Sequence, residues 1–96
     1  MSAYMIFIRE SAIRDPAEME RYRTKNRGKP PQPMPTPLVV YGRIEALEGS
    51  APDGIVMLKF ESVDDARTWY HSAEYQDVIR HRKNAADYRV MIVEGI

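Results

Sequence analysis

Residues 3–9, Ala-Tyr-Met-Ile-Phe-Ile-Arg, form an unbroken apolar, β-branched and aromatic run closed by a charge, which predicts a buried strand. Polar residues follow until Asp15-Pro16-Ala17-Glu18. There Asp at the N-cap, proline in the first helical position and Glu at N3 mark a helix start. The helix is expected from Pro16 to about Arg27, with Gly28 as its stop. Its apolar stripe is thin, mainly Met19 and Tyr22. The pairs Glu18/Arg21 and Glu20/Arg23 at i,i+3 suit a solvated face, so this helix leans on the core along a narrow edge.

Leu38 to Leu47 reads as a second strand. Val39, Tyr41, Arg43 and Glu45 fall on one face, and Leu38, Val40, Gly42, Ile44 and Ala46 on the other. Glu48 to Gly54 is a turn-rich hairpin loop, and Ile55 to Glu61 a third strand, apolar apart from Lys59. Ser62 at an N-cap with Asp65 at N3 starts a second helix, with Ala66, Trp69, Tyr70 and Ala73 at helical spacing. Ser72 is a second cap, which restarts or bends the helix before Tyr75, Val78, Ile79 and Arg82. Tyr88 to Glu94 alternates as the last strand.

Between the first helix and the second strand, residues 29–37 carry five prolines at positions 30–37. Proline neither donates to a ladder nor continues a helix, so this segment is expected to be an extended, polyproline-like connector. It is either a stiff loop or a lid or strap for a partner.

The element order β-α-β-β-α-β is the ferredoxin-like plan of an α+β protein: one domain over residues 1–96, a four-stranded antiparallel sheet, both helices on one face. A face left to water should alternate apolar with polar residues. These strands carry Met, Val, Ile and Tyr on both sides, so the second face wants a cover. The simplest is a second copy, packed sheet to sheet as a homodimer.

Composition narrows the function. The chain has 96 residues, 14 basic and 14 acidic side chains and no net charge. Electrostatic capture of nucleic acid or of an anionic membrane is therefore not supported. RNA recognition modules share the topology, but the strand Ile55-Val56-Met57-Leu58-Lys59-Phe60 lacks their Gly-Phe/Tyr motif. With no cysteine there is no disulfide scaffold, thiolate metal site or cysteine nucleophile. No run is long enough for a signal-peptide core or a membrane span, and a cytoplasmic location is expected. A domain of this length buries roughly two-thirds of its unfolded surface. It has little room for both a core and a deep pocket, so the second copy is expected to supply a missing wall.

Candidate chemistry is sparse. Arg43 and Lys59 lie inside apolar predicted strands, where a charge must be paired or wetted. Facing one cavity beside the Tyr41 hydroxyl, they would hold a carboxylate, an enolate or another small anion. Paired with Glu45, Glu61 or the copies of these in a partner chain across the dimer, they would be scaffold. Trp69, Tyr70, Tyr75, Tyr22 and Phe60 are core at helical spacing, or else line a cleft suited to a flat apolar ligand. His71 lies at the helix break, either solvated or functional. His81 stands among Arg80, Arg82 and Lys83 and reads as part of an exposed basic face. Ten helical residues separate the two histidines by roughly 15 Å, so they do not share a metal. Nothing in the spacing supports haem. The substrate-binding candidates are Tyr41, Arg43, Lys59, Trp69 and His71, with no metal and no cofactor.

The stretches Ile55–Ser62, Asp65–Tyr70 and Ser72-Ala73-Glu74-Tyr75-Gln76, with the ending Met91–Gly95, resemble the domain-of-unknown-function 1330 family over essentially the whole chain. The resemblance implies the dimeric α/β-barrel arrangement, in which two ferredoxin-like sheets face each other. It implies no particular reaction. Relatives of that fold include cofactor-independent monooxygenases, an isomerase and haem-binding enzymes, so an activity here would be monooxygenase- or isomerase-like. The alternative is a non-enzymatic dimeric binding or regulatory module that uses its proline strap as contact surface. Ala73 stands where the family usually has proline, and the proline run replaces its glycine-containing segment before the second strand.

Overall fold

The computed structural model describes residues 1–26 and 32–96. In chain order the elements are β1 (Ala3–Arg9), α1 (Pro16–Asn26), β2 (Thr36–Val40), β3 (Gly54–Phe60), α2 (Val63–Tyr70), α3 (Ala73–Ala85) and β4 (Tyr88–Glu94). The four strands form one antiparallel sheet in the order β2-β3-β1-β4. This is the ferredoxin-like arrangement, with the second helical segment divided in two.

The caps sit where the side chains dictate. The Glu18 N–H donates to the Asp15 carboxylate at 3.1 Å, opening α1. Ser62 accepts from the Asp65 N–H at 3.1 Å and opens α2. Ser72 accepts from the Tyr75 N–H at 3.2 Å and opens α3, while its own hydroxyl donates to the Trp69 carbonyl at 2.7 Å. One serine thus ends one helix and starts the next, which puts the break where a restart is expected. The predicted stop of α1 at Arg27 and Gly28 lies outside the described residues.

Strand parity divides the sheet. Ala3, Met5, Phe7 and Arg9 of β1 point toward the helices, and Met5, Phe7, Phe60, Ala66, Trp69, Tyr75 and Ile79 make the main buried cluster. Tyr22 of α1 packs against the same cluster, so all three helices cover one face. The other face is built by Tyr4, Ile6 and Ile8 of β1 and their cross-strand partners. Its middle row is Val39, Met57, Ile6 and Met91. Only Lys59 and Arg89 bring charge to it from β3 and β4 between those rows.

The second strand departs from expectation at both ends. It begins within the proline segment, at Thr36, and stops at Val40 rather than Leu47. Pro37 is tolerated because β2 is an edge strand whose outer side needs no donor. Leu38 is the extra residue of a bulge between Pro37 and Val39. The strand ends because Tyr41 adopts φ of +53°, a left-handed conformation that leaves the pleat. The predicted connector 29–37 is therefore shorter than expected: residues 36 and 37 are strand, and residues 29–31 lie outside the described residues.

Candidate functional site

At one end of the helix-facing side, Gly54, Arg9 and Tyr88 stand side by side across β3, β1 and β4. The Tyr41 ring lies over this row. It needs Gly54, since a Cβ there would come within 2.7 Å of Tyr41 Cδ1. The Arg9 guanidinium sits 5.5 Å from the ring centroid, held by donation from Nη2 to the Asp53 carbonyl at 3.0 Å. At the far end the Tyr41 hydroxyl meets the Tyr88 hydroxyl at 2.5 Å. The strained residue that ends β2 thereby closes one end of the space between sheet and helices.

That space is a cleft of about 400 Å³. Phe7, Val56 and Leu58 supply its sheet side, and Tyr22 and Trp69 its helix side. Met34, Pro35, Pro37 and Val40 form the outer wall, so the proline segment works as part of the enclosure. All of these residues belong to one chain and to the helix side of the sheet. The outer wall of this space is an edge strand and a folded-back tyrosine of the same chain.

Arg82 of α3 reaches the cleft and is 3% exposed. Its guanidinium carbon lies 4.7 Å from the Tyr88 ring centroid and 5.6 Å from that of Phe7, and its Nε is buried without a hydrogen-bond partner among the described residues. The Trp69 Nε1 is likewise buried and unpartnered. Beside them the Tyr22 and Tyr75 hydroxyls join at 3.0 Å. Burial pushes the Tyr22 phenol well above the usual tyrosine range, and Tyr75 adds to the push. Burial also raises Tyr75, against the opposing pull of Arg82. Tyr88 is raised by burial and by its bond to Tyr41. All three phenols are therefore neutral at neutral pH, and two of them, Tyr22 and Tyr88, line the cleft.

The expectation of an exposed basic face around His81 and Arg82 is overturned, because both are buried. Seven residues, two helical turns, separate Arg82 from Tyr75 and put both on the sheet-facing side of α3. His81 points the other way, toward α1, where its Nδ1 meets the Glu18 carboxylate in a close contact. Glu18 also receives Arg21 at 3.3 Å. This pair ties α3 to α1.

The predicted candidates divide. Tyr41 and Trp69 line the cleft. Arg43 is not in a strand at all: it is exposed in the loop after Tyr41, because β2 ends before it. Lys59 is exposed on the face of the sheet away from the helices. The two cations are not brought to a common cavity, and among the described residues neither forms an ion pair with Glu45 or Glu61. His71 is the exposed C-cap of α2, its ring edge-on to Tyr70. The aromatic set is both core and cleft. Trp69 stacks at 4.1 Å on Tyr75 and 5.7 Å from Phe60 while also lining the space.

Among the described residues no three His, Cys, Asp or Glu side chains are grouped to hold a metal ion, and no helix is long and apolar enough to cross a membrane. No curated protein matches the sequence. Several solved structures share the fold. A protein of unknown function from Rhodopseudomonas palustris superposes with a TM-score of 0.66 at 15% identity, over 99% of this chain and 82% of the other. An ethyl tert-butyl ether d family protein from Bacillus halodurans gives 0.65 at 13% identity, over the whole of both chains. A dimeric protein of unknown function and ferredoxin-like fold from Bacteroides fragilis gives 0.61 at 11%, over 98% and 96%. The sequence itself matches one family over residues 2–96, so the chain belongs to the family described as Domain of unknown function (DUF1330).

Proposed function

We propose that residues 1–96 work as one domain that binds a small, flat, apolar or aromatic metabolite in the cleft between sheet and helices. The observation that carries this reading is the cleft itself: about 400 Å³, walled by aromatic and aliphatic side chains, with buried polar atoms of Arg82 and Trp69 that have no hydrogen-bond partner among the described residues. Apolar walls with a few fixed polar groups are what small-molecule sites are made of. Tyr41 and Trp69 are the contacts, and Tyr22 and Tyr88, which line the space, the neutral donors. The use of Met34, Pro35 and Pro37 as a wall of this space favours a ligand site over a module whose proline segment serves as contact surface.

Two copies associate through the face carrying Ile6, Met57 and Met91. The apolar rows there and the dimeric Bacteroides fragilis protein of the same fold support that association. The test of the ligand reading uses the single tryptophan, whose indole N–H gives one nuclear magnetic resonance signal. A neutral bicyclic probe, 2-naphthamide, is expected to shift it in a saturable way. Val40→Phe, at an exposed position of the outer wall, is expected to fill the cleft and abolish the shift while the protein stays folded. A wild-type signal unmoved by the probe would sink the reading.

A further inference from the structure

We infer that the cleft is a carboxylate site: it takes a small planar monocarboxylic acid whose anion is held by Arg82. The inference rests on the reading of the cleft as a ligand site and adds the charge of what enters it.

The argument starts from Arg82. A guanidinium is a permanent cation, and burying one without a counter-charge is strongly disfavoured. Arg82 is 3% exposed, yet among the described residues no carboxylate lies within 4.0 Å of it. The acids nearby in the fold are engaged elsewhere. Asp87, which shares a second depression with Arg82, is paired with Arg14 at 2.9 Å. Glu18 is taken by His81 and Arg21. The faces of Tyr88 and Phe7 replace part of the lost solvation, but a ring quadrupole is not a countercharge. Nor do the phenols become one, since burial keeps Tyr22 and Tyr75 protonated.

The residues around the cleft agree. They include two arginines, Arg82 inside and Arg23 on α1, and no Asp or Glu. Such a space repels cations and favours an anion with an apolar body. A single buried guanidinium fork matches the two oxygens of a carboxylate. Among the described residues no glycine lines the cleft to cradle a phosphate. The flat shape follows from the rings of Tyr22, Tyr41 and Trp69 around a space that fits one or two fused rings.

The experiment compares two probes of one shape, 2-naphthoate and 2-naphthamide, titrated calorimetrically into the full chain at pH 7. In the wild type the carboxylate is expected to bind at least about tenfold tighter than the amide, as a buried charge-assisted pair should. Arg82→Met keeps much of the apolar stem, and is expected to remove that preference, bringing the two probes to within about twofold of each other. Arg23→Gln, at an exposed position, is expected to change the preference little. Equal affinities in the wild type would overturn the inference and leave the cleft reading standing. So would an Arg82→Met protein that keeps the carboxylate preference. Binding of neither probe would overturn the cleft reading and the inference with it. The wild-type comparison decides even if Arg82→Met does not fold.

Discussion

The backbone of Gly54 lies so close beneath the Tyr41 ring that the smallest side chain would collide with it, at 2.7 Å from Cδ1 and 2.9 Å from Cε1. The ring has nowhere cheap to go. Its own backbone is held at φ +53°, its N–H donates to the Ile55 carbonyl at 2.8 Å, and its hydroxyl is fixed by Tyr88. Gly54→Ala is therefore expected to destabilise the fold by about 1–3 kcal/mol, the usual range for overpacking. The midpoint of a thermal melt checks this, falling by about 4–8 °C per kcal/mol for a chain of this size. Adding Tyr41→Ala should recover much of the collision penalty, and a Gly54→Ala protein as stable as the wild type would refute the contact.

Alkali should unfold the protein through its phenols. Tyr22, Tyr75 and Tyr88 all have folded values raised above that of an unfolded tyrosine, about 10. The unfolded chain then releases protons first as pH rises. The stability these groups contribute is complete below about pH 10 and is lost above it. Ultraviolet titration at the phenolate band should show tyrosines that ionise only as circular dichroism is lost. Ionisation of every tyrosine with the fold intact would contradict the burial.

Glu18→Ala leaves His81 buried with no partner on either ring nitrogen, because its Nε2 already has none. The expected loss is about 1–3 kcal/mol, the penalty for an orphaned buried polar group. Glu18→Gln, which can still hydrogen-bond, should lose less. Urea unfolding distinguishes them, and an Ala variant no less stable than the Gln variant would count against the pair as the tie between α1 and α3.

Ile6 lies at the middle of the open sheet face, opposite Met57 and Met91. Light scattering is expected to give the wild type twice the 11.1 kDa chain mass. Ile6→Lys is expected to bring it to the single mass, since a cation buried between two sheets whose own charges on this face, Lys59 and Arg89, are also cations has no counterion there. The cleft is on the other side of the sheet, so naphthamide binding should survive. A single-chain mass for the wild type at micromolar concentration would refute the association.

Much of the architecture was legible because period and caps agree. The runs at 3–9 and 88–94 have the residues and spacing of strands, and Asp15, Ser62 and Ser72 mark helix starts by their side-chain chemistry. The second strand was overextended because alternation continues from Leu38 to Ala46, while the feature that stops it is a backbone angle at Tyr41 that no pattern announces. The same alternation places Arg43 on a strand that has already ended at Val40. Arg82 stands among Arg80, His81 and Lys83, and a charged run usually means water. Helical spacing held the signal. Tyr75, Val78, Ile79 and Arg82 share the buried side of α3 at steps of three and four, which places a cation where only apolar groups are expected. Lys59 was correctly a strand residue, but parity alone does not tell which face the helices cover.

The alternation of β1 has a further consequence. Its odd residues, Met5, Phe7 and Arg9, build the floor beneath the helices, and its even residues, Tyr4, Ile6 and Ile8, build the outer face. One heptapeptide thus carries two interleaved texts, each readable and editable without altering the other. Substitutions at odd positions would retune what the cleft accepts, and those at even positions would retune what the outer face meets. The loss or gain of one residue within β1 would exchange the two at a stroke. Variants of this strand should therefore change by replacement and not by length.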